Sequence, residues 1–194
     1  MFSEESSLVA VTPAISVDWF SGALAGDNVQ RSRKSFAEVR HLFAEGESCS
    51  LDGGTELYNV VWTGTASAGT PGALLFGCTH LNPGQVNGEY FMTHGHFHAD
   101  QSRDEMYLPV SGRGLLLQMD AGGRCWAEEM TPGKVHMIKG AHAHRVVNTG
   151  DVPLIFWASW PADAGYDYGT IARDGFGLRV FCRDGKAVLE PGRS

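Results

Sequence analysis

From Leu57 onward, short apolar runs alternate with turn residues at intervals near ten positions. This spacing predicts strands over Leu57–Thr63, Ala73–Leu81, Glu89–Thr93, Glu105–Val110, Gly114–Met119 and Arg124–Glu129. Further strands are predicted over Lys134–Ile138, Arg145–Asn148, Leu154–Ser159, Leu178–Arg183 and Ala187–Glu190. Turn signals separate them, among them Asn82-Pro83-Gly84, Ala121-Gly122-Gly123 and Thr131-Pro132-Gly133. Many short strands at even spacing form an antiparallel barrel or a double-sheet jelly roll. A helical period shows clearly once: Phe36, Val39, Leu42 and Phe43 share a face before Gly46, and Ser35 with Glu38 reads as a capping box. The expected organisation is one all-β domain, with residues 1–54 as an N-terminal extension packing on a barrel of residues 55–194.

Composition narrows the class without changing that picture. At 194 residues and 43% hydrophobic, the chain is long enough to bury a real core and too apolar for disorder. Fifteen Lys and Arg against 22 Asp and Glu leave a net charge of -7. The basic residues are scattered, so no electrostatic footprint for nucleic acid or an anionic membrane exists. No apolar run has membrane-spanning length, and the acidic start Met1-Phe2-Ser3-Glu4-Glu5 does not read as a signal peptide, so the expected location is cytoplasmic. Cys49, Cys78, Cys125 and Cys182 show no metal or redox spacing and read as small buried hydrophobes.

Histidine is where chemistry gathers. Six of the 8 fall in two groups: His94, His96 and His98, then His136, His142 and His144. On a strand, residues two apart share a face, so His96 and His98 can reach one interior point. Glu105 returns there after the polar turn 99–104, and His144 arrives from a later strand. Three imidazoles and a carboxylate suit a first-row divalent ion with positions left open. His94 is expected at the rim, and His142 competes as a fourth ligand. His136 and His80 read as structural or substrate-facing, and His41 as part of the helix surface.

The stretch Thr93-His94-Gly95-His96-Phe97-His98, with Glu105 and Gly112-Arg113-Gly114, resembles the first cupin motif. Pro132-Gly133 followed by His144 and Asn148 resembles the second. Within cupins, the block Trp160-Pro161-Ala162-Asp163-Ala164-Gly165-Tyr166-Asp167-Tyr168 looks like the cupin-type phosphoglucose isomerases, over roughly residues 55 to 190. The resemblance implies a cupin double-stranded β-helix and a metal-dependent glucose-6-phosphate isomerase of glycolysis and gluconeogenesis. It implies a cytoplasmic homodimer with one divalent ion per subunit: Fe²⁺ foremost, with Mn²⁺, Zn²⁺, Ni²⁺ and Co²⁺ as alternatives. By the same carry-over, His96, His98, Glu105 and His144 hold the metal, and Tyr58, Thr79, Thr93, Gly95, Tyr107 and Tyr168 surround a sugar phosphate. Trp160 stands where the archaeal enzymes have Tyr, and Tyr166 where they have His, both in the substrate-facing segment.

Aldose–ketose isomerisation moves a hydrogen between C1 and C2, through a base or a metal-polarised hydride shift. Glu105 is the candidate base and Tyr58 and Tyr107 the candidate relays. The rival readings are an isomerase of mannose 6-phosphate, a cupin dioxygenase and a non-catalytic sugar-binding cupin. A dioxygenase would favour an apolar pocket, whereas the tyrosines and threonines here suit a polar substrate.

Overall fold

Period-two burial along many of the strands sets the architecture, because a sheet must hide at least one face. The computed structural model describes residues 13–192. Three strands precede the predicted set: β1 (Ile15–Asp18), β2 (Ala23–Gly26) and β3 (Gln30–Ser35). A helical turn α1 (Phe36–Val39) continues into a 3-10 turn at Arg40–Leu42. There follow β4 (Glu56–Gly64), β5 (Leu74–Leu81), β6 (Gln85–Val86), β7 (Glu89–Tyr90), β8 (Glu105–Ser111) and β9 (Gly114–Met119). The second half holds β10 (Cys125–Met130), β11 (His136–Ile138), β12 (Ala143–Asn148) and β13 (Leu154–Pro161). Helix α2 (Tyr168–Asp174) separates these from the closing hairpin of β14 (Leu178–Arg183) and β15 (Lys186–Pro191).

All pairings are antiparallel. A six-stranded sheet runs in the order β11-β8-β13-β5-β4-β3. Facing it are a three-stranded sheet, β10-β9-β12, and a four-stranded sheet, β15-β14-β7-β6. Their inner faces share one large core that includes Leu57, Leu81, Leu116, Val146, Leu154 and Phe156. This is the jelly roll that the strand spacing implies, with sheets that face one another without closing into a continuous barrel.

The outer face of the large sheet is also apolar, at Val61, Cys78 and Trp157. The β1–β2 hairpin covers it, with Leu24 only 2% exposed at its centre. Strand β3 then joins the sheet edge beside β4. Its sequence, Gln-Arg-Ser-Arg-Lys-Ser, has no apolar alternation because it packs nothing on either side, which is why the pattern does not reveal it. The capping box is real: Glu38 accepts from the Ser35 backbone N–H at 2.8 Å and from its hydroxyl at 2.9 Å.

Two predicted elements are corrected. The strand expected over Glu89–Thr93 ends at Tyr90, since Phe91 N–H turns to the Gly84 carbonyl and Met92 bridges to Val147. His96 and His98 do not sit on a strand. Gly95, at φ 76°, breaks the extended run, and His96 and Phe97 keep only isolated bridges to His144 and Asp167. The four cysteines are free thiols. Among the described residues, no helix is long and apolar enough to cross a membrane.

Candidate metal centre and substrate cleft

The bridge between His96 and His144 brings the two histidine groups to one place. His96 N–H donates to the His144 carbonyl at 3.3 Å, and His144 N–H returns to the His96 carbonyl at 3.1 Å. Glu105 opens β8, where alternation turns it and Tyr107 inward. The outcome is a cluster of His96, His98, Glu105 and His144 whose ligand atoms lie within 4.8 Å of one another.

Two of the three imidazoles are oriented from behind. His98 Nδ1 lies 2.5 Å from the Arg103 carbonyl, and His144 Nδ1 lies 3.3 Å from the His142 carbonyl. A carbonyl accepts only, so each Nδ1 carries the proton and each Nε2 is free to present a lone pair. Both Nε2 atoms stand 3.1 Å from the same Glu105 oxygen. His96 Nε2 and His144 Nε2 are buried and make no hydrogen bond. Burial, reinforced by His144, pushes the His96 imidazole well below its ordinary range, so it is neutral. Burial also pushes His98 down, but the Glu105 carboxylate outweighs it and raises that group. Glu105 stays ionised, its burial overcome by contacts with His144 and His98. Lone pairs converging on one carboxylate are held together by a proton or a cation, and a divalent ion answers them all at once. The donor set fits a first-row ion.

Arg103 and Asp163 are site residues that the sequence pattern does not single out. The guanidinium meets the carboxylate in two bonds, 3.0 Å from Nε and 2.8 Å from Nη2, which fixes the loop whose Arg103 carbonyl holds His98. The same loop packs against the Ala-Asp-Ala-Gly run, where a Cβ on Gly165 would stand 2.8 Å from Ala99 Cβ. Small residues there let the two segments touch. The signal was Asp163 within that block, which reads from sequence as a turn cap. Asp167 is a cap: it accepts from Thr170 N–H at the start of α2.

Beside the cluster opens a cleft of about 260 Å³. Tyr58, Thr79, Thr93, Gly95, Tyr107, Trp160, Tyr166 and Tyr168, the residues the resemblance placed round a substrate, all line it. Tyr58 accepts from the His94 N–H at 3.3 Å, and burial raises its phenol to about 12. Burial, then the Glu105 charge, takes Tyr107 well above the ordinary phenol range. Thr93 Oγ1 accepts from Val146 N–H at 3.0 Å, which leaves its own proton to donate into the cleft. Trp160 Nε1 donates to Tyr166 Oη at 3.1 Å, and the Tyr166 ring stacks on Tyr168 at 5.7 Å. His94 lies at the rim, edge-on to Tyr168 at 4.6 Å.

Three histidines stand apart from the cluster. His142 is not a fourth ligand, because its Nδ1 lies 3.2 Å from Gln118 Oε1. His136 pairs with Glu128 at 2.8 Å, and His80 Nε2 lies 3.4 Å from the Gly22 carbonyl.

The sequence model of the Glucose-6-phosphate isomerase (GPI) family matches residues 55–191. The chain belongs to that family. Among relatives named glucose-6-phosphate isomerase, one from Thermococcus litoralis is 35% identical over 91% of this chain and 92% of its own length. One from Pyrococcus horikoshii is 49% identical over a shorter stretch, 61% of this chain and 62% of the relative. A Rhizobium meliloti protein, named putative glucose-6-phosphate isomerase 2, is 33% identical over 89% of this chain and 87% of its own. Among solved structures, oxalate decarboxylase from Lactobacillus farciminis overlaps 57% of this chain and 30% of its own, at TM-score 0.45 and 19% identity. That overlap is too slight to argue from. The antiparallel, facing sheets by themselves establish the jelly roll.

Proposed function

We propose that this chain interconverts glucose 6-phosphate and fructose 6-phosphate, with one divalent ion held by His96, His98, Glu105 and His144. The observation that carries the reading is the neutral, buried and unpartnered His96 Nε2 beside a hydroxyl-lined cleft, in a chain of this family. Its hydroxyls suit a polyhydroxylated substrate, beside an apolar wall of Val60, Trp62, Phe156 and Ala158.

The ion, when bound, supplies charge that polarises the two reacting oxygens and stabilises negative charge on them. The rest belongs to this chain's own side chains. Thr79 and Thr93 hydroxyls, Gly95 N–H and Tyr168 bind and orient the phosphate by donation. Glu105 is the one carboxylate lining the cleft, so it takes the proton from one carbon and returns it to the neighbour. Tyr58 and Tyr107 keep their protons at neutral pH, which makes them donors to the substrate oxygens and not bases. Trp160 fixes the Tyr166 phenol, leaving its O–H to meet the sugar.

Fe²⁺ is the proposed working ion, with Mn²⁺, Zn²⁺, Ni²⁺ and Co²⁺ as ions the donors also accept. The reading places the enzyme in cytoplasmic glycolysis and gluconeogenesis. It also makes a homodimer the expected assembly, since β11 at the sheet edge exposes Met137 at 66% and the adjoining Val135 at 57%. The deciding assay is conversion of fructose 6-phosphate before and after chelation and after return of Mn²⁺ or Fe²⁺, with mannose 6-phosphate as the control substrate. Activity lost with chelator and regained with metal supports the reading. Full activity in the verified metal-free protein overturns metal dependence. No conversion by the loaded protein overturns the isomerase. Proton transfer through Glu105 further requires solvent deuterium to appear at C2 of glucose 6-phosphate formed in D₂O.

A further inference from the structure

A second cleft, of about 280 Å³, lies outside the sheets on the far side of β12 and takes no part in the chemistry above. It forms where the turn at 41–44 and the segment 171–179 meet. Alternation along β12 sends His144 to the metal cluster and its neighbour Arg145 the opposite way. Arg145 lines this cleft and is only 3% exposed. Gly95 makes room for it, since a Cβ there would stand 2.9 Å from Arg145 Nε and 3.1 Å from its Cβ.

The guanidinium is short of partners. Nη2 donates to the His94 carbonyl at 2.7 Å, and the Phe176 ring lies 5.0 Å beneath the group. Nε makes no hydrogen bond among the described residues. The buried Glu89 carboxylate is already engaged: its oxygens accept from Arg179 Nη1 at 2.8 and 3.0 Å and from Ala44 N–H at 2.8 Å. At the rim, Arg173 and Asp174 satisfy each other at 2.6 and 2.7 Å. Among the described residues no carboxylate pairs with Arg145, so its positive charge is left without a partner inside the protein. An interior cation without its own counter-charge is costly, and a bound anion removes that cost.

We propose that this cleft binds a small oxyanion, a phosphate or a carboxylate, on Arg145, and that its occupancy reaches the substrate cleft through the Arg145–His94 hydrogen bond. The link is short: His94 and Gly95 line the substrate cleft and precede the metal ligand His96 directly. Guanidinium offers five donors, so the His94 carbonyl and an oxyanion can be held together. The binding claim stands whether or not the chain is an isomerase.

The test uses the full metal-loaded chain and inorganic phosphate, with acetate as the carboxylate probe and chloride at matched ionic strength as control. Ala172→Glu sets a carboxylate at the cleft mouth, away from the catalytic machinery, and Arg145→Met removes the guanidinium. Thr79→Val weakens any phosphate held in the substrate cleft. The expected result is a phosphate- or acetate-binding event that Thr79→Val leaves unchanged and Ala172→Glu weakens about tenfold or more. The same anion should shift the KM for fructose 6-phosphate in the unaltered chain and not in Ala172→Glu. The preferred probe identifies the natural class. Binding of neither anion, or binding that Ala172→Glu leaves intact, overturns the proposal even if Arg145→Met fails to fold. A KM that the bound anion does not move overturns the coupling.

Discussion

At the scale of single residues, the metal cluster depends on charge and on support from behind. Replacing Glu105 by Gln keeps the size and removes the charge that faces two imidazoles at 3.1 Å. Divalent-ion content after dialysis, measured by elemental analysis, should fall below one equivalent, and isomerase turnover should fall at least 10²-fold. Asp163→Asn touches no ligand, yet it removes the charge and one of the two bonds that steady Arg103 and so the carbonyl on His98. Affinity for Mn²⁺ should drop by about 10- to 100-fold, with a changed electron paramagnetic resonance spectrum for the bound ion. A spectrum and affinity like those of the unaltered chain would show that the Arg103 carbonyl is not what holds His98. The four clustered residues were legible in sequence because histidines two apart, a returning carboxylate and a later histidine have few other reasons to coincide. Arg103 was not legible, since its part is played by a backbone carbonyl, and carbonyls carry no residue signature.

Whole elements stand or fall by a few buried polar contacts and caps. Asn148 closes the β12–β13 turn, donating through Nδ2 to the Leu81 and Val152 carbonyls and accepting from Gly150 N–H. It is fully buried, so Asn148→Ala strands three backbone groups and should cost about 2–4 kcal/mol, read by urea denaturation. The cap of α1 has a pH signature. Ser35 N–H, then Lys34 and the Ser35 hydroxyl, hold exposed Glu38 at about 2, below its unfolded value of 4.5. A depressed carboxylate stabilises fully above the unfolded value and progressively less as pH falls toward the folded one. Glu38→Gln should therefore lower Tm at pH 7, by an amount worth about 0.5–1 kcal/mol after solvent screening, and the gap should narrow between pH 4.5 and 2. A gap that stayed constant with pH would remove the charge from the explanation. At this scale the sequence showed the buried strands β4, β5, β8, β9 and β13 nearly to their ends. It hid β1 to β3 and α2: a polar edge strand has no apolar period, and a seven-residue helix inside a turn-rich block reads as turn.

For the whole molecule, three sheets, a covering hairpin and a metal cluster share one core, so events at the cluster register in global stability. The cluster gathers groups from the 93–98 segment, β8 and β12, a constellation the unfolded chain cannot offer an ion. Mn²⁺ at about a hundred times its dissociation constant should add ~2.7 kcal/mol, raising Tm by roughly 5–10 °C over the chelated protein. Scanning calorimetry with and without chelator measures this, and equal transitions would mean that the ion is not held by the native fold. Jelly-roll architecture was readable from strand spacing, whereas the closing role of the N-terminal hairpin was not. That hairpin covers Trp157 and Val61, residues that would read as core in any arrangement.

Strand order also has a bearing on how the chain is made. β13 lies between β5 and β8, with Leu81 paired to Leu154 and Tyr107 to Ala158. During synthesis, β5 and β8 leave the ribosome long before the strand that joins them. Until then both expose unpaired backbone beside Leu75, Cys78 and Leu81, and such edges join other nascent chains. Chains arrested before residue 154 should aggregate or be held by chaperones, whereas arrest after residue 161 has fully emerged should give a soluble, protease-resistant nascent domain. The last strand of the central sheet to be translated thus sets the moment at which the molecule becomes safe from its neighbours.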